Sequence, residues 1–456
     1  SMTLRDAPLA PLAPLARQMG AGLPEDLTVD GKISGMLAYV PRAGLEGALA
    51  ASPAALWVTG SKPVTFDGVR IVVDGSSIYL APAALKSGTV RAKIEGDYSW
   101  RTDTLSGTVT GDATNIAKPL APADDWAAAI PFFSGIEKGA WSGKLRYRQE
   151  TGRAGTWSGD LNIKDARIPL DGFADPLEVA AAHVVLDDKA VALDHMAASI
   201  GGIGFKGEYQ YKPAAERQHR FHISIAKLDG GALEAALLPA LDRNEGFFAR
   251  ALRLGRTKLP DWLEGRRAEG TVEVGSMTLG GERLERVRAR VQWDGGIVEA
   301  TEVAAKFEGG AVEGHIAASL GRAAPSYKVS ARFRGVRWMG GQWEGKTALE
   351  TSGTGAGVLE NLRAEGTFKS RTVTFAEDAD FESVSGNYLF TVARGAPHFR
   401  FSQIRAVAGS GTFEGQGTSG ADGRIHFDLT DGEKRMRMNG TLSPFQLTPV
   451  TEKDPG

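Results

Sequence analysis

The chain has 456 residues, a formal net charge of −2 and no cysteine. The near-neutral charge does not favour nucleic acid as a partner, and the lack of cysteine excludes disulfides, thiolate catalysis and cysteine-ligated metals. No apolar run reaches the ~18 residues needed to span a bilayer as a helix, and we recognise no signal peptide. We expect the opening Ser1-Met2 to be non-native and a native signal or anchor to have been removed from before it.

The first part of the chain divides into a proline-rich start, a β repeat and an insert. Residues 1–26 carry prolines that confine any helix to about residues 13–19. Apolar and polar residues then alternate, which predicts a first β repeat over residues 27–116. A short helical insert is expected over residues 117–138, where Asp124-Asp125 precedes an apolar run and is read as a helix cap.

The second part repeats this organisation. Strands are predicted over residues 139–230, 266–335 and 336–443, as the second, third and fourth β repeats. A second helical insert is predicted over residues 231–265, and the tail over residues 444–456 is expected to be flexible. The leucines of the insert fit one helix and its later apolar residues fit another, in the order Leu233, Leu237, Leu238, Leu241, then Phe247, Phe248, Ala251, Leu252 and Leu254.

The stretch from Ala268 to Leu320 shows the pattern most clearly. Gly280-Gly281, Asp294-Gly295-Gly296 and Glu308-Gly309-Gly310 separate alternating runs, as expected of antiparallel strands joined by hairpins. One face of its second strand is apolar and the other carries arginines, so one side of the sheet is dry and the other wet.

The spacing of apolar residues in this stretch recurs in other parts of the chain. Each copy of the third strand contains one step of three residues, whereas a strand alternates with a period of two. The steps run from Leu193 to Met196, from Ala300 to Val303 and from Phe401 to Ile404. A step of three predicts a β-bulge, and a bulge at the same place in each copy predicts a sheet that bends the same way each time.

An apolar sheet face has to be covered by something. The residues by themselves leave several covers open: a chain of β-sandwiches or closed barrels with an ordinary core, a membrane, or an apolar ligand. A membrane barrel is disfavoured because no regular aromatic girdle flanks segments of suitable length.

Three stretches resemble the C-terminal region of AsmA-like proteins: Gly270 to Leu279, Leu284 to Gly296, and Phe307 to Gly314. The entry from Leu23 to Gly35 is also similar to the way such regions begin. The resemblance covers roughly residues 23–442 as a style of repeat. It implies a bacterial periplasmic protein tethered to the inner membrane, with a long taco-shaped β-sheet around an apolar groove, related to bridge-like lipid transfer proteins. The membrane anchor of that family is not recognised in this chain.

We therefore predict a mainly all-β fold: an elongated, curved antiparallel sheet of repeated bulged strands that forms a taco-like hydrophobic groove, with short helical inserts. The predicted function is to hold phospholipid or other acyl lipid between the inner and outer membranes, with an envelope protein as a possible partner. The alternative is a non-catalytic structural or protein-interaction module of β-sandwiches. The candidate groove residues are Val184, Leu186, Leu193, Phe205, Val272, Val274, Val287, Val291, Trp293, Val298, Phe307, Val312, Ile316, Phe368, Tyr388, Phe390, Phe401 and Phe413.

No residue pattern supports catalysis, a metal or a cofactor. There is no His-Glu-x-x-His motif, and the close pair His219 and His222 fits a surface strand better than a zinc site. No Gly-x-Ser-x-Gly elbow occurs, and Asp187-Asp188 is read as a turn. The row of Arg286, Arg288 and Arg290 is either a phosphate or headgroup contact or a solvated outer face, and the second is commoner. Trp141 and Trp343 either line a groove or pack on an insert helix.

Overall fold

The structure is a computed structural model of the chain. It describes residues 1–18, 25–57, 63–87, 90–113, 136–150, 155–241, 264–320, 324–354, 356–374, 380–393, 395–409, 411–442 and 445–449. The chain divides into two compact units. Unit 1 comprises residues 1–170, 175–200 and 206–219, and unit 2 comprises residues 171–174, 201–205 and 220–456.

Unit 1 is built of antiparallel strands that mostly pair with their neighbours along the chain. The short strand β4 departs from this order. It lies beside β5 between the two longer strands β3 and β6, so that each of these pairs with β5 along one part of its length and with β4 along another. The strands are β1 (Met2–Pro8), β2 (Thr28–Val40), β3 (Gly44–Trp57), β4 (Val64–Phe66), β5 (Val69–Gly75), β6 (Ser77–Ser87), β7 (Val90–Ser99), β8 (Thr104–Ala113), β9 (Lys138–Glu150), β10 (Thr156–Ile168), β11 (Leu177–Asp187), β12 (Ala190–Ile200) and most of β13 (Ile203–Tyr211).

A short helix covers part of the apolar face of unit 1. Helix α1 (Leu12–Gln18) lies where the prolines limit the predicted helix, and Arg17 Nη2 donates a 2.9 Å hydrogen bond to the carbonyl of Leu27. Leu9 packs with Ile33 and Phe66 of the sheet in one buried cluster. The strand β1 is a correction to the prediction, which placed only a proline-rich segment here. The alternation in Met2–Pro8 is short and weakly apolar, and pairing with β2 stabilises it.

Unit 2 is also almost entirely β-structure, with two short helices among its described residues. Its strands are β14 (His219–Asp229, from Arg220), β15 (Arg267–Leu279), β16 (Glu282–Asp294), β17 (Ile297–Phe307), β18 (Gly310–Ser319), β19 (Ser326–Trp338), β20 (Gly341–Ser352), β21 (Arg363–Thr374), β22 (Asp380–Ala393), β23 (Ala396–Ala408), β24 (Gly411–Ser419), β25 (Arg424–Thr430), β26 (Arg435–Leu442) and β27 (Phe445–Pro449). From β15 onward each strand pairs antiparallel with the next. The strand β27 lies within the tail predicted to be flexible, which is a second correction.

One junction in unit 2 is parallel. Arg220 pairs with Glu269 at 2.8 Å, and His222 Nδ1 lies 2.6 Å from Thr271 Oγ1. The partners in both pairs are 49 residues apart in the chain. Because residue numbers rise together along β14 and β15, the two strands run in the same direction. A parallel pair requires a crossover connection of a dozen or more residues. The second insert supplies that connection, which explains why a helical segment interrupts the hairpins here.

The crossover starts with helix α2 (Gly230–Leu241) directly after β14. This is where the leucine spacing predicts the first helix of the insert. The Asp229 carboxylate accepts a 3.0 Å hydrogen bond from the Ala232 amide and thereby caps the helix. The second predicted helix lies outside the described residues, as does most of the first insert. A further short helix, α3 (Ala356–Glu360), lies between β20 and β21.

The predicted bulges in the third strands are confirmed. His195, Glu302 and Gln403 occupy the same place in the three copies, with φ of 52°, 52° and 50°. The strand register shifts at each of these places. The first strand of two copies also has a residue with positive φ: Asp165 on β10 and Thr372 on β21. In the remaining copy, the residue with positive φ is Arg286 on β16, which pairs with the first strand β15.

Unit 2 curls into a trough. Glu282 on β16 and Leu447 on β27 line the same cleft although ten strands lie between them in the sheet order. Repeated bulges add bend and twist in one direction, which accounts for this curl. The mainly all-β class, with a curved, dominantly antiparallel sheet and short helices, is therefore confirmed. Among the described residues, none of the helices has the length and apolarity to cross a bilayer.

Candidate functional site

The trough of unit 2 contains an apolar cleft of about 730 Å³. Its volume lies within the range of sites that bind small molecules, which is roughly 300–1,000 Å³. The lining is dominated by aromatic rings from alternate positions on the concave face of β17 to β25: Phe307, Phe333, Trp338, Trp343, Phe368, Phe381, Tyr388, Phe399, Phe401 and Phe427. Most of these rings are only half-buried, so the protein leaves their faces open to the cleft.

Several of these rings touch in a row that crosses the strands. The ring centroids of Trp343 and Phe368 are 5.9 Å apart, those of Phe368 and Phe401 are 6.2 Å apart, and those of Phe401 and Phe427 are 5.2 Å apart. Phe399 stacks on Phe401 at 5.6 Å with nearly parallel planes. Such ring pairs are worth about 0.5–1.5 kcal/mol beyond the area they bury. The row therefore holds itself together without needing a second protein layer.

Glycines on neighbouring strands make room for the rings. A Cβ on Gly386 would lie 2.9 Å from the Phe368 ring, and a Cβ on Gly417 would lie 2.3 Å from the Phe427 ring. A Cβ on Gly345 would similarly lie 2.7 Å from the Phe333 ring. Each ring thus lies over a strand position that has no side chain. This arrangement keeps the cleft floor low and the cleft open.

Beneath the rings lies a buried aliphatic layer. Val373, Ile404 and Leu429 are between 1 % and 4 % exposed, and they pack in one cluster with Phe413 and Met438. Ser370 is buried in the same layer and donates a 3.1 Å hydrogen bond to the Gln342 carbonyl. The floor is therefore close-packed, in contrast to the open surface of the rings above it.

The cleft lining includes the hydroxyl group of one tyrosine, Tyr388. The Tyr388 hydroxyl lies 2.7 Å from Thr347 Oγ1. Burial raises the pKa of Tyr388 above its usual value, and the hydrogen bond with Thr347 offsets part of that rise. The tyrosine is neutral at physiological pH, so it adds no charge to the cleft.

The charged residues of the lining lie together at one end of the strands. Glu282, Glu308 and Arg337 are the charged lining residues, and they sit at or beside the β15–β16, β17–β18 and β19–β20 turns. Trp338 is 47 % exposed next to them, and its carbonyl accepts a 2.8 Å hydrogen bond from Trp343 Nε1. We call this end the mouth of the cleft. Among the described residues no ion pair joins Arg337 to a carboxylate, so this guanidinium is open to a ligand.

The structure brings some of the sequence-predicted groove residues to the cleft. Phe307, Phe368, Tyr388 and Phe401 line it, Phe413 lies in the buried floor, and Phe390 contacts the lining ring of Phe399 at 4.7 Å. Other candidates follow the strands of unit 2 before the cleft and are half-buried there: Val272, Val287, Val291, Trp293, Val298 and Val312. Ile316 is 37 % exposed and Val274 is 4 % exposed.

The candidates of unit 1 are enclosed instead of open. Val184 is fully buried, and Leu186 and Leu193 are each 3 % exposed. Phe205, which belongs to unit 2, is half-buried. The apolar face is thus close-packed along β11 and β12, whereas it is open around Phe401.

Sequence reasoning missed several lining residues. Phe333, Val336, Trp338, Phe399, Phe427, Leu429, Met438 and Leu447 line the cleft but are absent from the predicted set. A signal existed for Phe333, because it alternates with Tyr327, Val329 and Ala331 along β19. Leu447 had none, because its strand is short and lies in the tail. Of the two tryptophans left open by the sequence, Trp343 lines the cleft.

The other candidate sites do not form a ligand constellation. His219 Nδ1 lies 2.8 Å from the Tyr209 hydroxyl, whereas His222 bonds Thr271, so the two histidines have separate partners. Arg286, Arg288 and Arg290 are exposed, as expected for a solvated outer face. In the described part of the chain no group of three or more His, Asp or Glu side chains could hold a metal ion. Asp124-Asp125 falls outside the described residues.

A second concavity of about 960 Å³ lies on the outer face of β18 to β23. It is larger than the cleft, but both signs of charge are mixed in it, including Arg332, Lys346, Glu313 and Glu365. We attribute it to the twist of the sheet, because its lining interleaves three basic and two acidic side chains with small and polar ones, and lacks the contiguous aromatic surface of the cleft. The aromatic cleft is the better candidate site.

Comparison with protein-family models, with curated proteins and with solved structures finds no match to this chain. The case for a function therefore rests on the geometry of the cleft and on the repeat pattern of the sequence.

Proposed function

We propose that this protein binds the acyl chains of phospholipids in the aromatic cleft of unit 2 and acts in lipid transfer within the bacterial cell envelope. The observation that carries the proposal is the row of half-buried rings, from Phe368 through Phe401 to Phe427, on the concave face of a curled sheet. Large contiguous apolar surfaces on a soluble protein mark a binding site. An apolar ligand is the simplest cover for a surface of this shape.

The energetics favour an acyl chain. Each CH₂ group removed from water contributes about 0.8 kcal/mol, so a chain lying along the ring row gains several kcal/mol. The rings and aliphatic side chains offer no directional contacts, with Tyr388 as an isolated polar group. The cleft is thus suited to chains of different lengths and allows them to slide, as transfer requires.

The mouth of the cleft supports an amphipathic ligand over a purely apolar one. Arg337, Glu282 and Glu308 lie at one end of the cleft, and the rest of the lining is almost entirely apolar. A phospholipid placed with its headgroup at the mouth would match that polarity, with the phosphate near the guanidinium. The arrangement gives the lipid one preferred orientation.

The proposed setting follows from the sequence resemblance to AsmA-like proteins: the periplasm, with attachment to the inner membrane and a possible envelope protein partner. We propose no catalytic role. The competing possibility is a structural or protein-interaction module, for which the rings would be the contact surface of another polypeptide.

A matched pair of variants tests the proposal. Phe401 lies on the concave face and is half-buried, whereas the adjacent Ser402 lies on the opposite face. Phe401→Asp should reduce bound phospholipid by about tenfold or more, because an acyl chain would have to desolvate the new carboxylate. Ser402→Asp adds the same charge one residue away and should leave lipid binding unchanged. Lipid is measured by extraction and by native mass spectrometry of the purified protein.

The proposal fails if the unaltered protein neither co-purifies with phospholipid nor takes it up from detergent solution. It also fails if the two variants lose lipid equally. Capture of a polypeptide by the unaltered protein and not by Phe401→Asp, in the absence of lipid, would favour the protein-interaction module.

A further inference from the structure

Unit 1 carries an unusual concentration of exposed apolar side chains at one end of its strands. Eight of the sixteen large apolar residues that are exposed in the described part of the chain lie on β2, β3, β6 and β8 or in the turn after β7. They include Met36, Tyr39, Leu45, Tyr79, Trp100 and Leu105. We call these six residues the hairpin-tip surface. Single exposed apolar residues are ordinary, but a cluster of this size calls for a partner.

The three hairpin turns beside this surface form one continuous edge. The Trp100 amide donates a 3.1 Å hydrogen bond to the Ser76 carbonyl, which joins the β7–β8 turn to the β5–β6 turn. Gly44, after the β2–β3 turn, packs against Gly75, where a Cβ would approach the Gly75 carbonyl to 2.8 Å. The turns therefore hold each other in place and present the side chains as a unit.

Apolar residues occupy both faces of the sheet at this end. Tyr39 pairs with Leu45, and both lie on the face that continues into the buried cluster of unit 1. Met36 pairs with Ala48, Ala48 with Val72, and Val72 with Tyr79, which forms an apolar row on the opposite face. Tyr39 is 74 % exposed and Met36 is 55 % exposed. A strand end that is apolar on both faces differs from the wet-and-dry pattern of the rest of the chain.

The presence of apolar residues on both faces favours a bilayer over a protein partner as the binding surface. A protein partner or a second copy that docks on one face leaves the other apolar face in water, whereas the interface of a bilayer surrounds an inserted hairpin tip on both sides. Tyrosine and tryptophan fit that interface, because their rings are apolar and their polar groups reach water.

The turns and the adjoining strand ends carry charges of both signs. Arg42 lies in the β2–β3 turn and Arg101 in the β7–β8 turn, and both side chains are exposed. In the part of the chain that the structure describes, neither guanidinium forms an ion pair. A guanidinium matches the geometry of a phosphate group. Four acidic residues lie at the same strand ends: Glu46, Asp74, Asp97 and Asp103. The two arginines can contact lipid phosphates, but the apolar residues on both faces, and not the charge, carry the choice of a bilayer.

We propose that the hairpin-tip surface inserts into the headgroup region of a phospholipid bilayer and docks unit 1 on a membrane. The inference does not depend on the proposed lipid cargo, because it concerns other residues in the other unit.

Vesicle flotation with the full chain tests the proposal. Vesicles of equimolar phosphatidylethanolamine and phosphatidylglycerol should carry the unaltered protein upward. Tyr39→Ser combined with Trp100→Ser should reduce the vesicle partition coefficient by about tenfold, a change that corresponds to about 1.4 kcal/mol. Both side chains are exposed, so the fold should survive. The control combines Ile297→Ser and Leu359→Ser, which are 53 % and 66 % exposed on unit 2, and should float like the unaltered protein.

A second measurement reports directly on contact. Brominated lipids should quench part of the tryptophan emission of the unaltered protein, and Trp100→Phe should remove the share that comes from Trp100, leaving any quenching of the cleft residues Trp338 and Trp343 unchanged. The proposal is overturned if the unaltered protein stays in solution, or if the hairpin-tip and control variants float alike. It is also overturned if the protein is a dimer without vesicles and the hairpin-tip variant is a monomer, because the surface would then join two copies. Extraction of phospholipid from the hairpin-tip variant distinguishes loss of membrane docking from loss of lipid binding in the cleft. The variant should contain as much phospholipid as the unaltered protein although it no longer floats.

Discussion

At the residue scale, the cleft depends on pairs of one glycine and one aromatic ring on adjacent strands. Gly386 faces Phe368, Gly417 faces Phe427 and Gly345 faces Phe333. Glycine in a strand normally weakens it. Here the aromatic ring on the adjacent strand covers the glycine. Because glycine has no side chain, the ring can lie close to the backbone, and this leaves more space in the cleft.

A substitution at Gly386 should therefore narrow the cleft. In Gly386→Ala the new Cβ would meet the Phe368 ring at 2.9 Å and the Ser402 carbonyl at 3.3 Å. The ring has to move into the cleft, at a cost of about 1–3 kcal/mol for overpacking. We expect lower lipid content by extraction and a lower midpoint of chemical denaturation.

A double substitution provides the control. Gly386→Ala with Phe368→Leu removes the ring that the methyl group displaces, so the two changes should be non-additive. If the double variant binds as little lipid as Gly386→Ala alone, displacement of the Phe368 ring is not the cause of the loss.

At the element scale, the bulges carry the bend of the sheet. His195, Glu302 and Gln403 hold a left-handed backbone conformation with non-glycine side chains. Such a conformation costs roughly 1–2 kcal/mol for an L-residue, and the surrounding ladder of hydrogen bonds has to enforce it. The recurrence of this conformation in three copies accounts for a sheet that bends repeatedly in one direction.

Substitutions at Glu302 should have signs opposite to those of an ordinary strand position. Glu302→Gly should maintain or raise the free energy of unfolding, because glycine adopts positive φ without strain. Glu302→Val should lower it by about 1–2 kcal/mol, because a β-branched residue is poorly tolerated there. The exposed pair with Arg290, at 4.0 Å, contributes little to either value.

Lys306 on the same strand supplies the comparison. It is exposed and has no positive φ, so Lys306→Gly should destabilise and Lys306→Val should be close to neutral. Urea denaturation of the four variants gives the free energies. The same sign pattern at both positions would show that Glu302 does not form a strained bulge.

At the scale of the whole molecule, the two units use one kind of strand in two ways. In unit 1 the apolar face is enclosed at Val184, Leu186 and Leu193. In unit 2 the same face is open around the ring row and half-open at Val291. A buried face stabilises the fold, whereas an open face is available for a ligand.

Val184 and Val291 hold the same place in the spacing of the second strand of their repeats, where Ala180, Ala182, Val184 and Leu186 match Val287, Ala289, Val291 and Trp293. A charge placed at these two positions should distinguish a closed apolar face from an open one. Val184→Asp buries an unpaired carboxylate and should destabilise by several kcal/mol, enough to prevent stable folding. Val291→Asp lies on a half-open face, so much of the fold should remain while bound lipid falls. Circular dichroism on heating and lipid extraction measure the two effects. Unfolding of Val291→Asp to the same extent as Val184→Asp would indicate a closed core in unit 2.

Much of this could be read from the sequence, for a physical reason. Alternation of apolar and polar residues, turn glycines and the steps of three are local properties, because they depend on residues that are near one another in the chain. They predicted the strands of the stretch from Ala268 to Leu320, the bulges at His195, Glu302 and Gln403, and four residues that line the cleft. Strand β1 and strand β27 escaped prediction, because short strands with weak alternation depend on their partners.

The sequence by itself thus determined an all-β chain with one apolar face and regularly placed bulges. Only the tertiary structure decided where that face is closed and where it is open, because curvature accumulates over many strands before Glu282 and Leu447 come to share a cleft. The same holds for the parallel pairing of β14 with β15, which depends on a crossover of 37 residues between Gly230 and Arg266. Contacts between residues so far apart in the chain leave no periodic signal in it.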